Sequence, residues 1–304
     1  MSESRRQARK NIIRETLDDR VFNIINIIIM AIMIVVVLYP LWFVVIASIS
    51  DYQAVGRGEV VFWPVGFQFD AYTRLFERDS IIIGYRNTLF YSIFGTVINL
   101  ICTLTAGYVF SVKFPGRKFF MFFITFTMYF GGGIIPTYFV YKNLKLINTI
   151  WVLLIPGAFS TYNIIVARTF ISSSIPSELA EAAEIDGCGK ILYYLRIVIP
   201  LSTVLINVLV LFFVVGHWNS YFNAMMFLSK KELFPLQLVA RDILINNQIT
   251  QNELVDTKEK LRNAAIAEQI KYSLIVVASM PVIVLYLFLQ KYFVKGIMIG
   301  SIKG

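Results

Sequence analysis

Long apolar runs, each free of Asp, Glu, Lys and Arg, alternate along the whole chain with stretches that carry all the charge. Six runs stand out, at residues 21–50, 87–112, 119–141, 146–167, 197–229 and 272–290, and they hold 19 to 33 residues each. An α-helix needs about 20 residues to cross a hydrocarbon core about 30 Å thick. A charged side chain at the centre of such a helix costs about 2.5 to 3.5 kcal/mol. The separation of charge from apolar sequence therefore predicts an all-α integral membrane protein with six transmembrane helices. Residues 1–20 read as a tail and residues 21–304 as a single transmembrane domain.

Punctuation within and between the runs refines this picture. The third and fourth runs are interrupted by Gly131-Gly132-Gly133, Pro136 and Pro156-Gly157. Such breaks either kink helices along a pathway or reflect the ordinary frequency of Gly and Pro in membrane helices. Residues 51–86, with Gly56, Gly58, Pro64 and Gly66, are expected as an irregular loop carrying an interfacial Phe62-Trp63 pair. Residues 230–271 form the longest polar connection, large enough to touch a partner. The first run is too long for a signal-peptide core and is expected to stay as an anchor.

Composition agrees with a membrane class: 57% of residues are hydrophobic and only 15% charged, against about 25% charged in soluble domains. The net charge of +9 comes without a basic stripe interleaved with aromatics, so no nucleic-acid partner is expected. Its placement instead bears on orientation. Arg5, Arg6, Arg9, Lys10, Arg14 and Arg20 mark the N-terminus as cytoplasmic, and six crossings return the C-terminus to that side. On that topology 15 Lys and Arg lie on inner segments and 13 on longer outer ones, a modest bias.

Residues 176–200, between the fourth and fifth runs, are patterned unlike a connecting loop. Pro176 suits the first turn of a helix; Glu178, Glu181 and Glu184 follow at intervals of three; Leu179, Ala182 and Ala183 occupy the other side. Gly187 suits a left-handed helix end, 190–199 a second helix, and Pro200 re-entry into the membrane. A small-residue helix flanked by acids fits a groove on a soluble partner. The competing reading is an interfacial amphipathic helix, although those usually present Lys and Arg to headgroups.

Glu181-Ala182-Ala183, three residues, Gly187, nine residues, Ile197, one residue, then Ile199-Pro200 resembles the coupling-loop signature of permease subunits of binding-protein-dependent ABC importers, with Ile199 in place of the usual Leu. Trp218-Asn219 with Tyr221-Phe222, together with 129–136 and Ile147-Asn148-Thr149, is similar to the carbohydrate branch, of maltose or complex-oligosaccharide type. The resemblance implies that Glu181, Ala182, Ala183 and Gly187, with Asp186, Gly189 and Pro200 beside them, dock on a cytoplasmic ATPase. It also implies a second homologous permease, an ATPase dimer that binds ATP and Mg, an extracytoplasmic solute-binding protein, and residence in a bacterial cytoplasmic membrane. Cys188 stands where the family often has Ala, and is also small and apolar.

The chain itself offers no catalytic apparatus. Gly189-Lys190 is followed by Ile191 where a phosphate-binding loop requires Ser or Thr, and no metal-ligand cluster or paired nucleophile and base is present. No catalytic or metal site and no cofactor of its own is expected. An ion-coupled secondary transporter would need carboxylate or histidine relays in its spans; these hold no carboxylate and one histidine, His217. A membrane scaffold is argued against by the coupling signature. Carbohydrate recognition favours aromatic faces and neutral hydrogen-bonding groups, and Asn163, Asn207, His217, Trp218, Asn219 and Tyr221 are the candidates. His217 also suits a packing role, and Trp and Tyr an interfacial one. Amino-acid or peptide import by the same machinery is the alternative solute class.

Overall fold

The computed structural model describes residues 16–252 and 258–301, and every regular element among them is helical. Tail residues Arg5, Arg6, Arg9, Lys10 and Arg14 lie outside the described residues. Three helices are long and apolar enough to cross a membrane unbroken: α1 (Leu17–Ser48), α4 (Asp79–Ser111) and the Gln269–Phe288 part of α15 (Lys258–Ser301). Three bent pairs bring the number of crossings to as many as six.

The bends fall where backbone chemistry demands them. Between α5 (Arg117–Tyr129) and α6 (Ile134–Asn143) the axis turns by 117°, so residues 119–141 are not one straight helix. Gly133 there has φ 80°, a conformation that L side chains rarely adopt. The α7 turn (Trp151–Leu154) and a 3₁₀ turn over Pro156–Ala158 meet α8 (Thr161–Ser174) at 45°. The run at 146–167 is therefore broken at Phe159, and α8 extends seven residues past Ala167. Residues 197–229 divide likewise, into the end of one helical stretch, α12 (Thr203–Trp218) and α13 (Tyr221–Phe227).

The expected irregular loop at 51–86 is largely helical. α2 (Tyr52–Gly56) starts where the Asp51 side chain accepts from the Gln53 N–H, α3 covers Asp70–Phe76, and α4 begins at Asp79, eight residues before the apolar run. Burial explains the difference: Ala71, Leu75 and Ile81 pack with Leu236 of α14 (Leu236–Asn252) and Leu274 of α15. Local polarity could not reveal these tertiary partners.

α4 is the central post, packed along both α8 and α12. Its contact face is a line of small residues: a Cβ on Gly84 would sit 3.1 Å from Leu236 Cα, one on Gly95 2.3 Å from His217 Nε2, and one on Gly107 2.6 Å from Ala167 Cβ. Small residues permit close helix approach in a lipid environment, where association depends on packing. Between these glycines α4 buries Asn87, Thr88, Ser92, Thr96, Asn99 and Thr103. Thr88 Oγ1 accepts from the Leu236 N–H at 2.7 Å, while Asn87 donates to Glu232 O and Phe234 O, and Tyr91 to Leu233 O. The α12–α14 connection is thus pinned to the post at its carbonyls and at the first N–H of α14.

Candidate functional site

The segment between α8 and α12 is a sequence of local solutions. Pro176 holds Ile175 extended, ending α8, and Ser177 opens α9 (Ser177–Ile185). α9 ends in a Schellman motif: Cys188 N–H donates to Ala183 O at 2.8 Å and Gly187 N–H to Glu184 O at 3.1 Å. Gly187 has φ 73°, the left-handed conformation this motif requires. The usual apolar contact is present too, since Cys188 packs on the cluster that buries Ala183, Ile171, Tyr193 and Val198. The spacing of Ala183 to Gly187 is therefore the spacing of one helix terminus.

From Gly189 the chain continues as α10 (Lys190–Tyr193), a π-helical turn over Tyr194–Val198, and α11 (Ile199–Leu201). Pro200 has no N–H to give Arg196 O, and its ring crowds that carbonyl, so widening the preceding turn is the physical response. At Ser202 the path turns by 79° into α12. Tyr108 of α4 braces this elbow: its ring stacks on Tyr194 at 5.0 Å and its hydroxyl donates to Lys190 O.

The outer face of α9 is open. Glu178, Glu181, Ala182, Glu184 and Asp186 are exposed, and none of the acids is ion-paired with a described residue. Of Leu179, Ala182 and Ala183, placed by the sequence on the side away from the glutamates, only Ala183 is buried; Leu179 is exposed and Ile185 is 87% exposed. Apolar and acidic groups therefore share a free surface.

A second feature lies on the other side of that elbow. A cavity of about 230 Å³ is lined by His217 and Asn163, with Asn99, Ser160, Ser220 and Asn223 as further polar groups. His217 Nε2 lies 3.2 Å from Asn99 Nδ2, and Asn99 Oδ1 is buried without a partner. Pro156 and Gly157 also line the cavity, whereas Gly131 to Gly133 and Pro136 do not. No lining residue carries Asp, Glu, Lys or Arg, so the cavity offers neutral hydrogen bonding beside the apolar rings of Phe212 and Phe213.

The remaining sequence candidates stand apart from it. Trp218 is buried, donates from Nε1 to Ala278 O at 2.8 Å and meets Tyr85 edge-on. Asn219 donates back to Val215 O, Tyr221 is exposed beside Phe222, and Asn207 is half-buried on α12. Asn148 belongs to a structural tie: at φ 61° its Oδ1 accepts from both Ser229 and Lys230 N–H at 3.0 Å. Sequence reading missed Asn99, Ser160, Ser220 and Asn223. Asn99 had a usable signal, an amide four residues after Gly95 inside an apolar span.

Bent membrane-length helices around a glycine-lined post, with a free acidic helix leading into the helix that lines a neutral cavity, define a polytopic membrane transport component. No family model matches the chain. Its sequence is 36% identical over 87% of its length to the polygalacturonan/rhamnogalacturonan transport system permease protein YtcP of Bacillus subtilis, covering 92% of that protein. It is 34% identical over 94% of its length to LplC of the same organism, covering 96% of it. The fold matches a solved chain of a bacterial ABC transporter that imports the acidic polysaccharide alginate, with a TM-score of 0.83 and 32% identity over 91% of this chain and 98% of that one. The chain belongs to the permease family of ABC transporters.

Proposed function

We propose that this permease carries oligosaccharides inward as one of two homologous membrane subunits, receiving them from an extracytoplasmic binding protein and drawing energy from a cytoplasmic ATPase dimer that holds ATP and Mg. Each bent pair is read as one broken crossing, giving six, with both termini cytoplasmic. The observation that carries the proposal is the exposed α9 helix, closed by Gly187 and joined through the Pro200 elbow to α12, the helix that places His217 at the neutral cavity. The relative named for polygalacturonan and rhamnogalacturonan transport and the solved transporter involved in alginate import support the solute class.

The mechanism follows from rigidity. α9 meets the ATPase through Glu181 and its exposed neighbours Ala182 and Ile185, with Asp186 and Gly189 at the margins of that surface. The Schellman terminus at Gly187 and the Tyr108 brace keep α9, α10 and the π turn as one body, so movement of the ATPase displaces α12 as a lever. Displacement of α12 changes the cavity lined by His217, Asn163 and Asn99. A sugar passing there exchanges water for amide, hydroxyl and imidazole partners without meeting a fixed charge.

The test is ATP-dependent uptake of labelled oligosaccharides by proteoliposomes containing the assembled transporter. Glu181→Lys is expected to leave assembly intact, because the side chain is exposed, and to abolish uptake and substrate-stimulated ATP hydrolysis. Gly187→Pro is expected to do the same by breaking the α9 terminus. Uptake that survives both changes, or that runs on an ion gradient without ATP, refutes the coupling role.

A further inference from the structure

A cavity of about 710 Å³ opens where the end of α4 and the middle of α8 meet the start of α5. Lys113, Arg117, Lys118 and Arg168 line it, and none of its lining residues is acidic. Arg168 gives its Nε to Phe110 O at 3.3 Å, and none of the four cations is ion-paired with a described residue. Cations gathered without a counter-charge repel one another, and an anion in their midst removes that cost. The backbone adds to the same field. Gly116, at φ 81°, turns the chain so that α5 starts here without a side-chain cap, leaving the positive end of a 13-residue helix uncompensated.

The surface next to these charges decides the kind of anion. α5 buries no residue within the chain, and Phe119, Phe120 and Phe123 are 66%, 50% and 57% exposed. A soluble anion would use the cations and ignore this face, whereas an amphiphile uses both. We infer that the cavity takes the phosphate headgroup of an anionic phospholipid, whose acyl chains lie along the exposed phenylalanines of α5. The site is separate from the α9 surface and the neutral cavity, so it stands or falls independently of the transport reading.

The experiment is native mass spectrometry of the assembled transporter released from nanodiscs of phosphatidylcholine doped with phosphatidylglycerol. Because intact complexes are weighed, misassembled protein does not contribute. The unaltered transporter is expected to retain phosphatidylglycerol selectively. Lys113→Gln/Arg117→Gln/Lys118→Gln should lose it by well over tenfold, at roughly fivefold per cation. Lys113→Arg/Lys118→Arg should keep it, as should the distant Lys142→Gln/Lys145→Gln. If the triple variant does not assemble, Lys113→Gln and Lys118→Gln singly carry the test, since both side chains are exposed. Unchanged retention in the neutralised variants overturns the inference. So does inorganic phosphate that binds the lipid-free, detergent-solubilised transporter and fully displaces phosphatidylglycerol, which would assign the site to a soluble anion.

Discussion

At the scale of single residues, glycines do two opposite jobs in this chain. Gly187 is required for its dihedral angle: a Cβ there meets nothing within 4 Å, so a substitution strains the backbone and not the packing. Gly95 is required for space, since its Cβ would fall 2.3 Å from the His217 imidazole. Gly95→Ala is therefore expected to destabilise the permease by about 1 to 3 kcal/mol through overpacking. Combining it with His217→Ala should recover part of that loss, read as thermal unfolding of the purified complex. Asn148→Ala removes one acceptor that serves two N–H groups. It is expected to cost about 1 to 3 kcal/mol and to raise amide exchange at Ser229 and Lys230. In the sequence Ile147-Asn148-Thr149 stands out by its similarity to oligosaccharide permeases, and in the structure the contacts of Asn148 make it a loop tie.

At the scale of elements, the α8–α12 connection was the most legible part of the chain. Pro176, Gly187 and Pro200 act through local backbone chemistry, so their effects appear in sequence at the places where they occur in space. The bends were less legible, because Gly131 to Gly133 mark a break without giving its angle. Which residues of α9 are covered was not legible for a related reason: periodicity defines faces, but the position of the α4 and α10 tyrosines decided that only Ala183 is covered. Gly187→Ala offers a graded version of the coupling test. A left-handed Ala costs about 1 to 2 kcal/mol, so α9 should persist with a looser terminus, lowering stimulated ATP hydrolysis less than Gly187→Pro does. Circular dichroism of the complex should stay unchanged.

At the scale of the whole molecule, the distribution of exposed apolar surface is that of a protein built to be surrounded by lipid. Along α1, residues from Phe22 to Leu38 are more than half exposed almost throughout, and only its last turn is buried, near α15. The tryptophans report this arrangement. Trp63 is 75% exposed and Trp218 only 3%. With Trp42, Trp63 and Trp151 all changed to Phe, the fluorescence of the remaining Trp218 is expected to resist both iodide and brominated lipid. A chain keeping Trp63 alone should be quenched by at least one of them. Strong quenching of Trp218 would mean that the α12–α15 contact, with its hydrogen bond to Ala278, is open in the membrane.

The sequence by itself determined the membrane class, the breaks at Gly131 to Gly133 and Pro156-Gly157, and the form of the α9 terminus. Each depends on the cost of charge in lipid or on the dihedral limits of Gly and Pro, which act over a few residues. Only the tertiary structure decided that residues 51–86 fold as helices, that Trp218 is a packing residue, and that His217 and Asn163 share a cavity with Asn99, Ser160, Ser220 and Asn223. Those outcomes depend on how α4 meets α8, α12 and α14. That meeting is set by which small residues let two backbones approach, a property of pairs of helices that no single stretch of sequence displays.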